Sequence, residues 1–266
     1  MERMALIQSL ISILLEDMPQ YTRHAQRFSP DIVSRRRLLR SLMNVRPPMT
    51  LTEKYLAMQD ELLSLEREEK GVVDAMTLPS TSDPRIVLWQ GDITRLKIDA
   101  TVNAGNSALL GCFSPCHDCV DNAIHSAAGL QLREECHRIM VSQGHEEPPG
   151  RVKITKAYNL PGRYVLHTVG PIVQGRLRQA DHDLLASCYR SCLELAANFD
   201  LQSVAFCCIS TGEFHFPNDQ AAEIAVKTVK DFLAVNGTVK RVVFDVFKTQ
   251  DLVLYQKWIK TFFREA

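Results

Sequence analysis

The segment with the clearest capacity for chemistry runs from Gly111 to His125 and contains three cysteines and two histidines. Cys112, His117 and Cys119 form a C-x4-H-x-C pattern, with Cys116 as a further thiol. Thiolate and imidazole are ligands that suit zinc. No second Cys/His pair follows at the spacing of a zinc finger. The pattern therefore predicts three protein ligands and an open fourth position, as in catalytic zinc sites.

A carboxylate accompanies these ligands, because Asp121 lies two residues beyond Cys119, where the chain begins to look helical. The dipole of a helix stabilises a carboxylate at its start, so Asp121 can stay ionised beside a metal and act as a base or an orienting group. Two alternatives remain open: the cysteines could be ordinary core residues, or they could form an adventitious metal site. Pro115 and the polar pair His117-Asp118 are unlike the apolar strands in which free cysteine is usually buried. Cys116 could also replace Cys112 or Cys119 as a ligand.

Composition narrows the classes of function. The 266 residues carry 31 basic and 31 acidic side chains, so the formal net charge is zero. A general nucleic-acid binder should carry a basic excess, whereas a small anion held by backbone amides remains compatible with this balance. The eight irregularly spaced cysteines are typical of a reduced intracellular protein, and we expect a cytoplasmic location. The apolar middle of the first 18 residues is interrupted by polar residues, which favours an amphipathic helix over a signal peptide or a membrane span.

The chain divides by composition into a helical extension, residues 1–80, and a domain, residues 85–266, with a linker at 78–84. The extension has helical periodicity, and we expect it to pack on the domain or to cap it. From Arg85 onward, strands alternate with helices, which predicts a mainly parallel sheet covered on both faces and a ligand site beyond the carboxyl ends of its strands. The last helix but one should take Asn218 or Asp219 as its N-cap. The predicted strands are 86–89, 100–102, 152–155, 164–169, 203–209 and 239–247, and the predicted helices of the domain are 121–128, 130–143, 181–198, 218–233 and 252–263.

Several motifs, in order, resemble those of the macrodomain, an ADP-ribose-binding α/β/α sandwich. The resemblance covers Arg85 to the C-terminus and implies a three-layer domain with a mixed, mostly parallel sheet. The usual glycine-rich loop of the hydrolase type is replaced by the cysteine segment, which is similar to that of zinc-dependent macrodomains with a helical N-terminal extension. The motifs are GDIT at 91–94, VNAGNS at 102–107, IT at 154–155, LP at 160–161, VLHTVGP at 165–171 and ISTG at 209–212.

The resemblance also implies roles for individual residues. Asp92 would accept a hydrogen bond from the adenine amino group, and the amide of Ile93 would hold the edge of the ring. Asn106 would bind the distal ribose, and Asp121 would align or deprotonate the attacking water or ribose hydroxyl. The backbone amides of a second loop would hold the diphosphate, and this loop consists of Ser210, Thr211, Gly212, Glu213 and Phe214. The aromatic ring of Phe247 either packs on adenine or is plain core. The zinc ligands would be Cys112, His117 and Cys119.

Other polar residues of the motifs receive structural interpretations. We expect His125 and His167 to be structural histidines with satisfied ring nitrogens, and Asp99 and Asn103 to serve turn geometry rather than to contact a ligand. His215 stands where many macrodomains have glycine.

The predicted function is zinc-dependent removal of mono-ADP-ribose from modified protein side chains, including Asp or Glu esters. The alternatives are a non-catalytic reader of ADP-ribosylated protein and a deacetylase of O-acetyl-ADP-ribose. The resemblance implies as partners a sirtuin-type ADP-ribosyltransferase and a lipoylated carrier protein. From the charge balance and the lack of a long apolar stretch, we expect neither nucleic acid nor membrane as a partner.

Overall fold

The computed structural model describes residues 2–263, and helices and strands alternate through the domain as predicted. The helices are α1 (Arg3–Asp17), α2 (Thr22–Ala25), α3 (Ile32–Val45), α4 (Glu53–Lys70), α5 (Val120–Ala128), α6 (Leu130–Gln143), α7 (Gln179–Asn198), α8 (Asn218–Val235) and α9 (Thr249–Phe262). The strands are β1 (Val73–Asp74), β2 (Ile86–Gln90), β3 (Leu96–Lys97), β4 (Ala100–Gly105), β5 (Val152–Lys156), β6 (Tyr164–Val169), β7 (Ser203–Phe206) and β8 (Arg241–Val246).

The main sheet has six strands in the order β2-β8-β7-β4-β6-β5. Every neighbouring pair is parallel except β5 and β6, which are antiparallel. The predicted mixed, mostly parallel sheet is therefore confirmed. Helices α5 and α6 pack together, as do α7, α8 and α9, and with the sheet between them they form the predicted three layers.

The central strands are buried because helices cover them on both faces. All six residues of β8 are buried, and β4 is buried at every position but Ala104. Strands covered in this way read as continuous apolar runs, which is why the sequence shows them so clearly. Each large aliphatic side chain buried there contributes about 1.5–3 kcal/mol.

The extension forms a second apolar cluster. Helices α1, α3 and α4 bury the faces that helical periodicity marked, and Leu130 of the domain joins this cluster. Strand β1 pairs with β3. The segment between extension and domain is held in place, because Arg241 donates hydrogen bonds to the carbonyl oxygens of Ala75, Leu78 and Pro84. No helix within residues 2–263 combines the length and the apolar character that crossing a bilayer requires.

The predicted cap of α8 is wrong. Helix α8 begins at Asn218 itself, with Pro217 in the capping position, and no side chain between residues 2 and 263 caps it. The Asn218 amide donates instead to Asp251 (2.6 Å), and Asp219 accepts from Lys257 and Trp258. Tertiary partners outside the helix have taken the polar groups that would otherwise bind its first amides.

Candidate active site

A cavity of about 630 Å³ lies beyond the carboxyl ends of the central strands. A volume in this range suits a nucleotide-sized ligand. Loops that follow β2, β4, β7 and β8 all contribute to its walls, as expected for a mostly parallel sheet. The cavity is lined by every residue given a binding, catalytic or metal role above: Asp92, Ile93, Asn106, Cys112, His117, Cys119, Asp121, Ser210, Thr211, Gly212, Glu213, Phe214 and Phe247.

Cys112, His117 and Cys119 form one cluster on the cavity wall. One thiol or imidazole atom from each residue lies within 4.8 Å of the others, and all three residues are half-buried. Nδ1 of His117 is enclosed without a hydrogen-bond partner among residues 2–263. Two soft sulfur donors and one imidazole nitrogen are a chemical fit for zinc.

Cys116 does not belong to that cluster. Its backbone has a positive φ of 52°, and its sulfur lies 3.3 Å from the hydroxyl of Ser41 in α3. Cys119 is also the N-cap of α5, because its sulfur accepts a hydrogen bond from the backbone amide of Asn122 (3.4 Å). Burial, with smaller contributions from Cys112 and Asp121, raises the pKa of Cys119 to about 12.

Asp121 is a buried carboxyl group next to this cluster. It is 6% exposed, and its Oδ1 accepts a hydrogen bond from the Asn103 amide (2.8 Å). Burial raises the pKa of Asp121 to about 6, against the lowering effects of the Asn103 hydrogen bond and the charge of Arg133. Burial thus opposes the helix dipole that was expected to keep Asp121 ionised, and it brings the protonation midpoint closer to neutral pH than that of an exposed aspartate.

The role expected for Asn103 needs correction. It lies within β4 rather than in a turn, it is 1% exposed, and its amide contacts both Asp121 and Nδ1 of His167 (3.2 Å). A polar amide in an otherwise apolar buried strand was the signal in the sequence, because such a group needs a specific partner. The turn role expected for Asp99 is wrong as well, since its carboxylate accepts from the backbone amides of Gln202 and Ser203, which are distant along the chain, and so connects the start of β4 to the start of β7.

A second cluster of possible ligands lies behind Asp121. Atoms of His125, Cys136 and His167 fall within 4.8 Å of one another, and all three residues are buried. Nε2 of His167 lies 2.9 Å from the hydroxyl of Thr155, so with Asn103 both of its ring nitrogens have partners. Burial lowers the pKa of His167 to about 3, and it lowers that of His125 well below its usual range. Both imidazoles are neutral at physiological pH, but only His167 is satisfied as expected. Both ring nitrogens of His125 lack a hydrogen-bond partner among residues 2–263, and its Nε2 lies 3.5 Å from Oδ1 of Asp121.

Asn106 already takes part in the loop that precedes the cysteine segment. Its amide nitrogen donates to the carbonyl of Gly111 (3.2 Å), and its oxygen accepts from the amide of Ala108 (3.1 Å). An asparagine side chain has a second N–H and a second lone pair, so these bonds leave capacity for a ribose hydroxyl.

Helix α3 of the extension holds the cysteine segment from outside the domain. The backbone amide of Cys116 donates to Oδ1 of Asn44 (2.8 Å), and the Asn44 amide donates to Ser126 in α5 (3.0 Å). The Arg40 guanidinium donates to Oδ1 of Asn122 (2.8 Å). The extension therefore does more than cover the core, and neither periodicity nor composition had indicated this.

Arg133 makes a second connection between the extension and the cysteine segment. Its guanidinium donates to the carbonyls of Met43 and Leu110, and it lies 4.4 Å above the ring of Phe113. A guanidinium offers five fixed donors, which allows one buried side chain to tie three segments together.

The second loop, Ser210–Phe214, depends on unusual backbone conformations. Ser210 has a φ of 65°, and His215 has a φ of 57°. The left-handed conformation at position 215 explains why glycine suits that position in related loops. A Cβ at Gly170 would lie 1.9 Å from the hydroxyl oxygen of Ser210, so only glycine fits beside this loop.

At the other end of the cavity, Asp92 and Phe247 face the same space. Oδ1 of Asp92 accepts from the amide (3.0 Å) and the hydroxyl (2.6 Å) of Thr94, and Lys70 lies 3.6 Å from Oδ2. Phe247 is 70% exposed, so the alternative that it is plain core is wrong. Its ring is available to pack on a flat ligand.

The chain is similar to macrodomains and to protein-ADP-ribose hydrolases. The family model for the Macro domain matches residues 102–225. A protein-ADP-ribose hydrolase of Treponema medium is 49% identical over 251 residues, which are 93% of this chain and 95% of that protein. A probable bifunctional ADP-ribose hydrolase/ADP-ribosyltransferase of Fusarium oxysporum f. sp. cubense is 40% identical over 91% of this chain but only 43% of its own length. The solved Trypanosoma brucei macrodomain in complex with ADP-ribose is 32% identical, with a TM-score of 0.62 over 82% of this chain and 94% of that one.

Proposed function

This chain belongs to the macrodomain family and is a hydrolase, and from that premise we propose that it removes mono-ADP-ribose from modified protein side chains with the help of zinc. The observation that carries the proposal is the position of Asp121, a buried carboxyl group beside the Cys112, His117 and Cys119 cluster in one cavity wall. A protein that only reads ADP-ribose has no use for this combination.

The cavity offers a binding surface for each part of ADP-ribose. Asp92 would accept from the adenine amino group, the Ile93 amide would meet the ring edge, and Phe247 would pack on its face. The amides of the second loop, Ser210–Phe214, would hold the diphosphate. Gly212 supports this role, because the space where its side chain would stand is open.

Cys112, His117 and Cys119 would hold the zinc ion, which supplies Lewis-acid polarisation of an oxygen atom when it is bound. The distal ribose would be positioned by Asn106, which also stabilises the loop before the cysteine segment. Asp121 would align a water molecule or a ribose hydroxyl and accept its proton. Asn103 keeps one oxygen of that carboxyl group in place.

We extend the proposal to the bond and to the partners. A carboxylate ester of Asp or Glu suits a site with one acid and a metal, because its leaving group needs little further protonation. The resemblance described above adds a sirtuin-type ADP-ribosyltransferase and a lipoylated carrier protein as partners. The name of the Fusarium relative, which joins a hydrolase to an ADP-ribosyltransferase, supports a link between the two activities.

The test measures metal content together with release of ADP-ribose from a mono-ADP-ribosylated protein, before and after chelation. We expect about one zinc per chain, and activity that chelation removes and zinc restores. Asp- or Glu-linked substrate is compared with Ser- and Arg-linked substrate and with O-acetyl-ADP-ribose. Binding of ADP-ribose without release from any linkage would establish a reader. Turnover of the small ester as fast as that of protein would establish the deacetylase.

A further inference from the structure

Asp245 is a buried carboxyl group in the cavity wall that none of the roles above uses. It lies in β8, opposite Trp89 of β2, and is 6% exposed. Its Oδ1 is enclosed, and no residue in the range 2–263 donates a hydrogen bond to either oxygen. Burying a carboxyl group without a partner costs free energy, because the lost hydration is not replaced. A costly group of this kind in a cavity wall points to a ligand that supplies the missing partner.

The position of Asp245 indicates which part of a ligand this is. Phe247 follows two residues later, just after the end of β8, and both Asp245 and Phe247 line the cavity. Asp92 lies near enough for its charge to add to the effect of burial in raising the pKa of Asp245. Asp245 therefore belongs to the end of the cavity assigned to adenosine. A diphosphate would be a poor neighbour for two carboxyl groups, whereas a group with N–H donors would be a good one.

We propose that Asp245 is a second carboxyl group of the adenosine subsite and accepts one N–H of the adenine amino group, a proposal that rests on the proposed function. The amino group carries two N–H donors. Asp92 can accept only one of them in good geometry, because its Oδ1 is already engaged with Thr94. Asp245 would take the other and make the cavity selective for adenine over a base with an oxygen at the same position.

Calorimetric titration with ADP-ribose and inosine diphosphate ribose tests this on the purified full-length chain. The wild type should prefer ADP-ribose. Asp245→Val should bind ADP-ribose at least about tenfold more weakly, or about 1.4 kcal/mol, and the difference between the two ligands should shrink. Without ligand, its unfolding temperature should rise, because an unpartnered buried carboxyl group has been removed. Asp245→Ala, which also removes both acceptor oxygens, should show the same direction of change in affinity and provides a readout if the valine variant does not fold.

Asp181→Asn is the matched control. Asp181 is also buried, but its carboxylate is paired with Arg178 at the start of α7, away from the cavity lining. This change should lower the unfolding temperature and leave both affinities unaltered. Wild-type affinity in both Asp245 variants would overturn the inference, as would equal weakening of both ligands. Failure of the wild type to bind ADP-ribose at all would contradict the proposed function instead.

Discussion

Two clusters of cysteine and histidine lie on either side of Asp121, and they differ in their surroundings. Cys112, His117 and Cys119 are half-buried and face the cavity. In the cluster of His125, Cys136 and His167, every residue is buried. His167 has partners for both ring nitrogens, whereas those of His125 have none among residues 2–263.

The charges near the two clusters also differ. The carboxyl group of Asp121 acts on Cys119 in the first cluster and on Cys136 in the second, where it also lies 3.5 Å from Nε2 of His125. In the second cluster the guanidinium of Arg133 acts on Cys136 and His125, which makes that environment less favourable for a cation than the carboxyl group alone would. Residue types and mutual distances are therefore not enough to define a metal site, because access and local charge also decide whether a cation can bind.

Substitution of one cysteine in each cluster should give the largest difference between the clusters, measured as zinc content. Cys119→Ser should abolish zinc binding and turnover, because two ligands do not hold zinc as three do. Cys136→Ser should leave about one zinc per chain. Cys116→Ser, a change in the same loop with the sulfur directed at Ser41, is the control for loss of a thiol, and metal analysis of the three proteins is the measurement. Zinc loss from the Cys136 variant would show that the buried cluster is the metal site.

Asp121→Ala tests the carboxyl group that lies between the clusters. We expect turnover to fall about 10²–10⁴-fold, the usual contribution of a positioned acid or base. Affinity for ADP-ribose and zinc content should stay near those of the wild type. Single-turnover release and calorimetric binding measure the two quantities separately. A loss of binding with little change in turnover would mean that Asp121 positions the ligand and takes no part in the chemistry.

Asn103→Ala should reveal whether the buried cluster supports catalysis through Asp121. Removing the amide takes one hydrogen bond from the carboxyl group of Asp121 and one partner from His167. We expect kcat to fall about 10–10²-fold, since small misplacements of catalytic groups have effects of this size, with KM and zinc content little changed. A change in unfolding temperature with unaltered kcat would limit Asn103 to a structural role.

Asn44→Ala should have the smallest effect of the four. Asn44 holds the cysteine segment through the Cys116 amide, so its loss should weaken zinc affinity about tenfold, as is typical for groups that support metal ligands. A chelator competition titration measures this affinity. Arg35→Ala, in the same helix and without a side-chain hydrogen bond in the described chain, should keep wild-type affinity. Equal affinities in both variants would show that α3 does not position the ligands.

Much of the fold could be predicted, because the central strands are buried on both faces and their apolar runs are plain in the sequence. The loops that follow those strands carried distinctive residues, which is why all the proposed site residues were found to line one cavity. The predicted N-cap of α8 was wrong because Asn218 and Asp219 have hydrogen-bond partners on α9, which no local sequence pattern reveals. Asn103, Asp245 and Asn44 were missed or given other roles, since each gains its meaning from segments distant along the chain.

The sequence by itself determined the order of helices and strands, the reduced cysteines and the candidate ligands, since these follow from periodicity, composition and spacing. Only the tertiary structure decided which cysteines and histidines stand together at the cavity and which are enclosed. It also decided that Cys116 turns toward α3, and that Asp121 has a hydrogen-bond partner while Asp245 has none in the described part of the chain. The physical reason is that burial and hydrogen bonding depend on groups brought together from separate elements, and these determine whether a polar side chain is satisfied, charged or free to bind.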